Sequence, residues 1–183
     1  MKKVLHDAYL KECVKGGKAP VQTHFVCQED NENIYFHFDC EQNFAFPKHK
    51  EYNAPLYEGD IVEVLISLDS KNRYLEIEVN QYNAKYCVII DNIDGNGDII
   101  INKMDNCIFE SRVLAQKERW ITDIVLSKKN LAAIGWKKDN CFFNAHRQDF
   151  DQKGKLHLYS LYPTYSNSFH KTAAFEKLYK QED

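Results

Sequence analysis

From Val21 onward the chain alternates short apolar-rich runs with polar punctuation. VQTHFVC (21–27) and NIYFHFDC (33–40), separated by the polar EDNEN, have the pattern of a two-strand hairpin. RYLEIEVN (73–80) is the cleanest two-faced strand. Leu75, Ile77 and Val79 fall on one side of it, and Tyr74, Glu76, Glu78 and Asn80 on the other. DIVEVLI (60–66) breaks the alternation, because every position from Ile61 to Ile66 is Ile, Val or Leu except Glu63. Such a run is expected of a strand buried on both faces. A carboxylate in its middle is costly unless it is paired, hydrated or facing a cleft.

Further strands are expected over 84–91 and 98–102, which flank the turn DGNG. Weaker ones are expected over 107–114, 118–126, 139–148, 156–162 and 173–180. SKKNLAAIGW (127–136) is a short helix candidate. Residues 1–18 are polar, end in Gly-Gly-Lys and read as a lead-in with one short helical turn, leaving a domain over 19–183. Short strands with turns between them predict an all-β fold, an antiparallel β-sandwich of jelly-roll type with at most one or two short helices. The connection over 41–59 carries two of the four prolines, and connections of that length are often functional.

At 183 residues the chain can bury a full core without disulfides or metals. Its 24 aromatic rings (eleven Tyr, eleven Phe, two Trp) exceed what strand packing alone asks for, leaving some for a stacking surface. With a net charge of −3 and dispersed Lys and Arg, there is no basic stripe for nucleic acid. No run is long enough to span a membrane. Asp7, Lys11 and Glu12 interrupt what would be the apolar core of a signal peptide, so a cytoplasmic location is expected. The six cysteines at 13, 27, 40, 87, 107 and 141 have no C-x-x-C spacing and read as buried reduced thiols.

Candidate chemistry is sparse. DNIDGNGDII (91–100) has the look of a calcium loop, yet the twelfth position falls on Lys103 where a bidentate Glu is needed, so it reads as a plain turn. His24, His37, His146, His157 and His170 are scattered without metal-ligand spacing. No metal or cofactor is assigned, and no nucleophile or phosphate-loop signature is present. Glu76 and Glu78 share a strand face and could approach Glu63 from a neighbouring strand, which admits acid–base chemistry on a glycoside; a plain polar surface is the simpler alternative. Tyr57 stands six residues before Glu63 at the entry to its strand. An aromatic ring beside a carboxylate suits a sugar, the ring packing on its C–H face and the acid accepting from hydroxyls. Asn144 and Arg147 in CFFNAHRQD offer polar groups on another strand.

In order, NIYFHFD, LYEGDIVEVLISLDSKNRYLEIEVNQYNAKY, RWITDIVL, CFFNAHRQD and LYPTYSNSFHKTAAFEKLYK resemble carbohydrate-binding module family 9 and its DOMON-like relatives, over about residues 20–180. The resemblance implies an antiparallel sandwich that binds sugar ends between aromatic rings. It matches Tyr57 to the family's leading aromatic, Glu63 to the acid of its strand motif, Asp60 to a strand-start anchor, and Asn144 and Arg147 to an Asn and an Arg three apart. It also admits a structural calcium, for which no ligands are assigned. Two departures stand out: Tyr57 occupies a place where Trp is common, and Leu161 replaces the second Trp, with Tyr162 or Tyr159 as nearby substitutes.

The expected function is non-catalytic binding of a mono- or oligosaccharide end by Tyr57, Glu63, Asn144, Arg147 and Tyr162, with a carbohydrate partner, no nucleic acid and no membrane. Three alternatives stay open. A sandwich that has lost sugar binding would have a filled concavity near Tyr57, and Glu63 would simply pair with Arg147. A small glycan-active enzyme would need Glu63, Glu76 and Glu78 to converge. A haem- or lipophile-binding DOMON-like protein would need an apolar pocket with an axial Met or His.

Overall fold

In the computed structural model, which describes residues 1–179, two antiparallel sheets pack face to face. The first sheet contains β1 (Lys3–Tyr9), β3 (Thr23–Glu29), β4 (Asn33–Glu41), β9 (Phe109–Ala115) and β10 (Arg119–Ser127), in the order β1-β3-β4-β10-β9. The second contains β2 (Lys11–Glu12), β5 (Ile61–Ser70), β6 (Arg73–Asn80), β7 (Lys85–Asn92), β8 (Ile99–Lys103), β11 (Phe142–Phe150) and β12 (Leu156–Ser160), in the order β2-β12-β11-β5-β6-β7-β8. A two-residue strand, β13 (Glu176–Lys177), adds to β11. The one α-helix among the described residues, α1 (Lys128–Ala133), starts at the Ser127 cap and bridges β10 toward β11. The expected all-β antiparallel sandwich is the observed fold.

Alternation explains the first sheet. Phe25 and Cys27 of β3, Phe36, Phe38 and Cys40 of β4, and Trp120, Ile124 and Leu126 of β10 point inward. They meet Val62, Val64, Ile66, Leu75, Ile77, Val79, Phe143 and Ala145 of the second sheet. The outer face of the first sheet is polar and cross-linked, with His37 against Asp123 at 2.7 Å and Arg119 against Asp39. The expected β3–β4 hairpin closes through Asp30, whose Oδ1 accepts from the backbone N–H of Glu32 and Asn33. All six cysteines are unpaired, and five are buried.

The second sheet is buried on both faces. Ile61, Leu65, Tyr74, Tyr86, Val88 and Ile90 form a second apolar cluster on its outer side, with Leu56, Phe169 and Phe175 laid over them by irregular segments. This is why β5 lacks a polar face. It also corrects the simpler view of RYLEIEVN, whose polar side is not a solvated surface: Glu76 and Glu78 are buried.

Two end segments depart from expectation. Residues 1–18 are part of the sandwich rather than a lead-in to it: β1 is an edge strand paired with β3, and β2 pairs with β12, while the expected single turn is present where Gly16 N–H donates to Glu12 O at 2.9 Å. Buried Leu10 and Cys13 tie the segment to the body, while the half-exposed edge position keeps its sequence polar. The strand expected over 173–180 contracts to β13, preceded by a 3-10 turn at Thr172–Ala174; residue 180 lies outside the described residues.

Arg147 is the largest buried charge in the core. It lies fully buried between the sheets, donating from Nη1 to Thr23 Oγ1 at 2.9 Å and from Nη2 to Asp149 Oδ1 at 2.5 Å. Thr23 belongs to the opposite sheet, so this side chain links the two layers. Truncation would leave Asp149 buried without its partner. Arg147→Ala is expected to lower the unfolding free energy by about 3–5 kcal/mol, measured by urea denaturation. Joint replacement of Arg147 and Asp149 by Met and Leu is expected to cost much less.

Candidate functional site

The chain reaches the site along the 41–59 connection, and three buried polar side chains hold that connection in place. Asp60 accepts the backbone N–H groups of Phe46 at 2.6 Å and Phe150 at 2.8 Å, so it is a strand-start anchor. Burial nevertheless raises its carboxyl to about 6, against the pull of those two bonds. Asn80 donates to the carbonyls of Lys48 and His49 and accepts from Tyr82 and Ala84, which uses all its capacity. Gln148 donates to the carbonyls of Tyr57 and Gly59. At Gly59 the backbones are so close that a Cβ would stand 2.6 Å from Phe46 O and 2.7 Å from Lys48 N. The result is a 3-10 turn, Leu56–Glu58, with Leu56 buried and the Tyr57 ring half exposed.

Below Tyr57 a cleft of about 390 Å³ opens on the outer face of the second sheet. Glu63 from β5, Glu76 and Glu78 from β6, and Tyr86 from β7 line it, with Gln148 from β11. β8 contributes Ile99 and Ile101, β12 contributes Leu156 and Leu158, and the loop Asn167–His170 completes the lining. Tyr57 meets Tyr86 edge-on, with ring centroids 6.2 Å apart at 86°. Phe169 stacks on His146 at 4.2 Å. Glu63 thus points with Ile61 and Leu65 away from the inter-sheet core and into a cleft with Tyr57 at its rim.

The three carboxylates define the electrostatics. Glu63 stands directly opposite Glu78 in the β5–β6 register, which puts the two Cβ atoms about 5 Å apart. Two ionised carboxylates at that spacing would repel by ~3 kcal/mol in a protein-like dielectric, so the pair retains a proton. Burial, then the charges of its neighbours, pushes Glu63 and Glu78 well above the usual carboxylate range. Glu76 rises to about 7 through burial, restrained by a hydrogen bond shared with Glu78. Each of the three keeps one buried oxygen without a partner: Glu63 Oε1, Glu76 Oε2 and Glu78 Oε2. His146, opposite Glu63 on β11, is kept neutral by burial and engages Ser160 through Nδ1. His170 is lowered to about 4 by burial and pairs through Nδ1 with the Tyr74 hydroxyl at 2.8 Å.

The expected site residues divide. Tyr57 and Glu63 come together. Asn144 is wholly buried elsewhere, clamping the C-terminal segment by donating to the carbonyls of Tyr162 and Ala174 and accepting from Tyr162 N–H. Arg147 faces the opposite side of the sheet, so Glu63 does not pair with it. Residues three apart in a strand point to opposite faces, so Asn144 and Arg147 could not share a site. Tyr162 is half-buried and its hydroxyl meets His6 Nδ1; Tyr159 packs beside the Arg147 guanidinium between the sheets. Neither lines the cleft, and Leu161 is buried in the core. Gln148, Tyr86, Phe169 and His170 are the lining residues that sequence reasoning missed. Gln148 shares strand parity with His146, the residue opposite Glu63, a placement that only the register reveals.

The loop over 93–98 behaves as a plain turn, Asp94 Oδ1 accepting from Asn96 and Asp98 N–H. Among the described residues no group of three His, Cys, Asp or Glu is arranged to hold a metal ion. A second hollow of about 370 Å³ lies beside Phe44, Phe150 and Tyr159, but its acids are engaged: Asp149 with Arg147, and Asp151 with its own turn and His157.

No family model matches the chain, and no curated protein matches it. Solved structures do. A "putative carbohydrate-binding protein" from Bacteroides uniformis superposes with a TM-score of 0.72 at 15% identity, over 93% of this chain and 84% of that one. A carbohydrate-binding module of family 9 from Caldicellulosiruptor kristjanssonii in complex with glucose gives 0.60 at 10% identity, over 93% and 82%. The complex of a family 9 module from the same organism with cellotriose gives 0.56 at 11%, over 92% and 77%. The chain therefore has the fold of the family 9 modules.

The carboxylate cluster makes stability depend on pH. In the unfolded chain these groups titrate near 4.5, whereas in the folded protein burial raises Glu76 to about 7 and pushes Glu63 and Glu78 well above their ordinary range. Between those values the native state holds more protons, so stability is full below pH 4.5 and falls as pH rises through 7. Glu76 alone accounts for about 3 kcal/mol over that window. Thermal melts are expected to give a lower Tm at pH 8 than at pH 6.5, above the range in which the buried neutral His146 and His170 oppose the trend. Glu78→Gln, which can still donate to Glu76, should raise Tm at pH 8 and flatten the dependence.

Proposed function

We propose that this protein binds carbohydrate without turning it over, at the cleft beneath Tyr57. The observation that carries this reading is the juxtaposition of an exposed aromatic ring with three buried carboxyl groups, each having an unpartnered oxygen, in an open cleft. The cleft's volume is within the range of small-ligand sites, about 300–1,000 Å³. A hexose ring can pack its C–H face on Tyr57 while its hydroxyls donate to Glu63 and Glu78. The fold shared with modules crystallised with glucose and cellotriose supports the same ligand class. The open cleft is also evidence against a sandwich whose concavity near Tyr57 is filled.

A catalytic reading has one observation in its favour: Glu63, Glu76 and Glu78 converge, and burial raises all three, Glu76 to about 7. Glycoside cleavage, however, needs two carboxyls flanking the bond at ~5–9.5 Å. Here the three carboxyls come from two adjacent strands of one sheet, Glu63 directly across from Glu78 and Glu76 two residues away on the same face, so they lie together on one wall of the cleft instead of on either side of it. Binding is the reading the geometry favours.

Calorimetric titration with glucose and cellobiose, each also tested after borohydride reduction, examines this directly. Binding to a sugar end predicts that reduction abolishes the heat signal. Tyr57→Ala and Glu63→Ala should each weaken binding at least about tenfold. Affinity that survives both substitutions would contradict the site, and release of product from labelled oligosaccharides would contradict the non-catalytic reading.

A further inference from the structure

The charge in the cleft is all of one sign. Its lining contains three carboxyl groups and neither lysine nor arginine. The histidines beside them, His146 and His170, are held neutral by burial. The other titratable side chains near the carboxyls are the phenols of Tyr57, Tyr74 and Tyr86 and the thiol of Cys13, none of which is cationic. Other buried or half-buried acids have partners: Asp149 has Arg147, Asp39 has Arg119, Glu29 has Lys128, and Asp60 has the backbone N–H groups of Phe46 and Phe150. Among the described residues, only here do carboxyls more than nine-tenths buried keep oxygens with no hydrogen-bond partner.

A neutral sugar can donate hydroxyl protons to those oxygens, but it leaves the like charges uncompensated. An ammonium supplies three donors and the missing positive charge together. The aromatic rim adds to the fit, since tyrosine π faces attract cations and also pack on sugar C–H groups. An acidic sugar would be repelled.

We propose that the cleft takes a saccharide bearing a free amino group, a hexosamine unit whose ammonium sits among Glu63, Glu76 and Glu78. This rests on the carbohydrate reading of the same cleft and narrows it. N-acetylation removes both the charge and two of the three donors, so the acetylated sugar is a poor ligand. Ammonium binding favours ionised carboxylates, and the proton retained by the cluster is released to solvent as the complex forms.

The test is calorimetry with glucosamine, N-acetylglucosamine and glucose at about pH 6.5, where an amine of this kind is protonated. Repeating it in buffers of different ionisation enthalpy reads the proton release. Glucosamine is expected to bind at least about tenfold tighter than the other two. Its advantage should shrink as salt rises. Glu78→Gln and Glu76→Gln are isosteric, are checked for folding by their melts, and should cost glucosamine more affinity than glucose. Equal affinity for glucosamine and glucose, tighter binding of the acetylated sugar, or a preference that survives both Gln variants would overturn the inference. Neutral-sugar binding that needs Tyr57 but shows no amine preference overturns this inference alone. No binding of any saccharide overturns the carbohydrate reading with it.

Discussion

Two glutamates facing each other across adjacent strands set the terms for the rest of this molecule. Glu63 and Glu78 are opposed in the middle of a sheet whose outer face is covered, and no cation lies between them. A soluble protein normally avoids this arrangement, because like charges across a strand pair destabilise the sheet and burial makes each costlier. The cost is met by retaining protons and by leaving a cleft above the carboxyls. Around them the second sheet supplies apolar scaffold: Val62, Val64 and Ile66 pack inward, while Ile61, Leu65 and Tyr74 hold up the outer cluster.

The cleft is held open by polar anchors, Gln148 at its edge and Asp60 and Asn80 beyond it. Asp60, Asn80 and Gln148 use their side chains on backbone groups of the 41–60 connection and so fix Tyr57 over the carboxyls. Arg147, on the reverse side of β11, ties the two sheets together and faces away from the cleft. Neighbouring residues of one strand thus serve different surroundings, Arg147 the inter-sheet core and Gln148 the cleft wall.

Much of this was legible in the sequence. The run of Ile, Val and Leu around Glu63 pointed to a strand buried on both faces and left its carboxylate to be paired, hydrated or facing a cleft, and the shared face of Glu76 and Glu78 followed from alternation in RYLEIEVN. Register was not legible: nothing local to CFFNAHRQD says that His146 rather than Arg147 lies opposite Glu63. The split between Asn144 and Arg147 was within reach, because parity forbids residues three apart from sharing a face. The N-terminal strand escaped because an edge strand with one half-covered face looks like a polar leader. Phe169 and His170 escaped because they sit on an irregular segment, where no periodicity marks which side chains turn inward.

The most direct measurement is a crystal structure of the protein soaked with a saccharide that binds in solution. The sugar should lie on the Tyr57 ring, with polar atoms within hydrogen-bonding distance of Glu63, Glu76 or Glu78. A sugar seated instead in the hollow beside Phe44 and Phe150, with the carboxylate cleft left unoccupied, would contradict it.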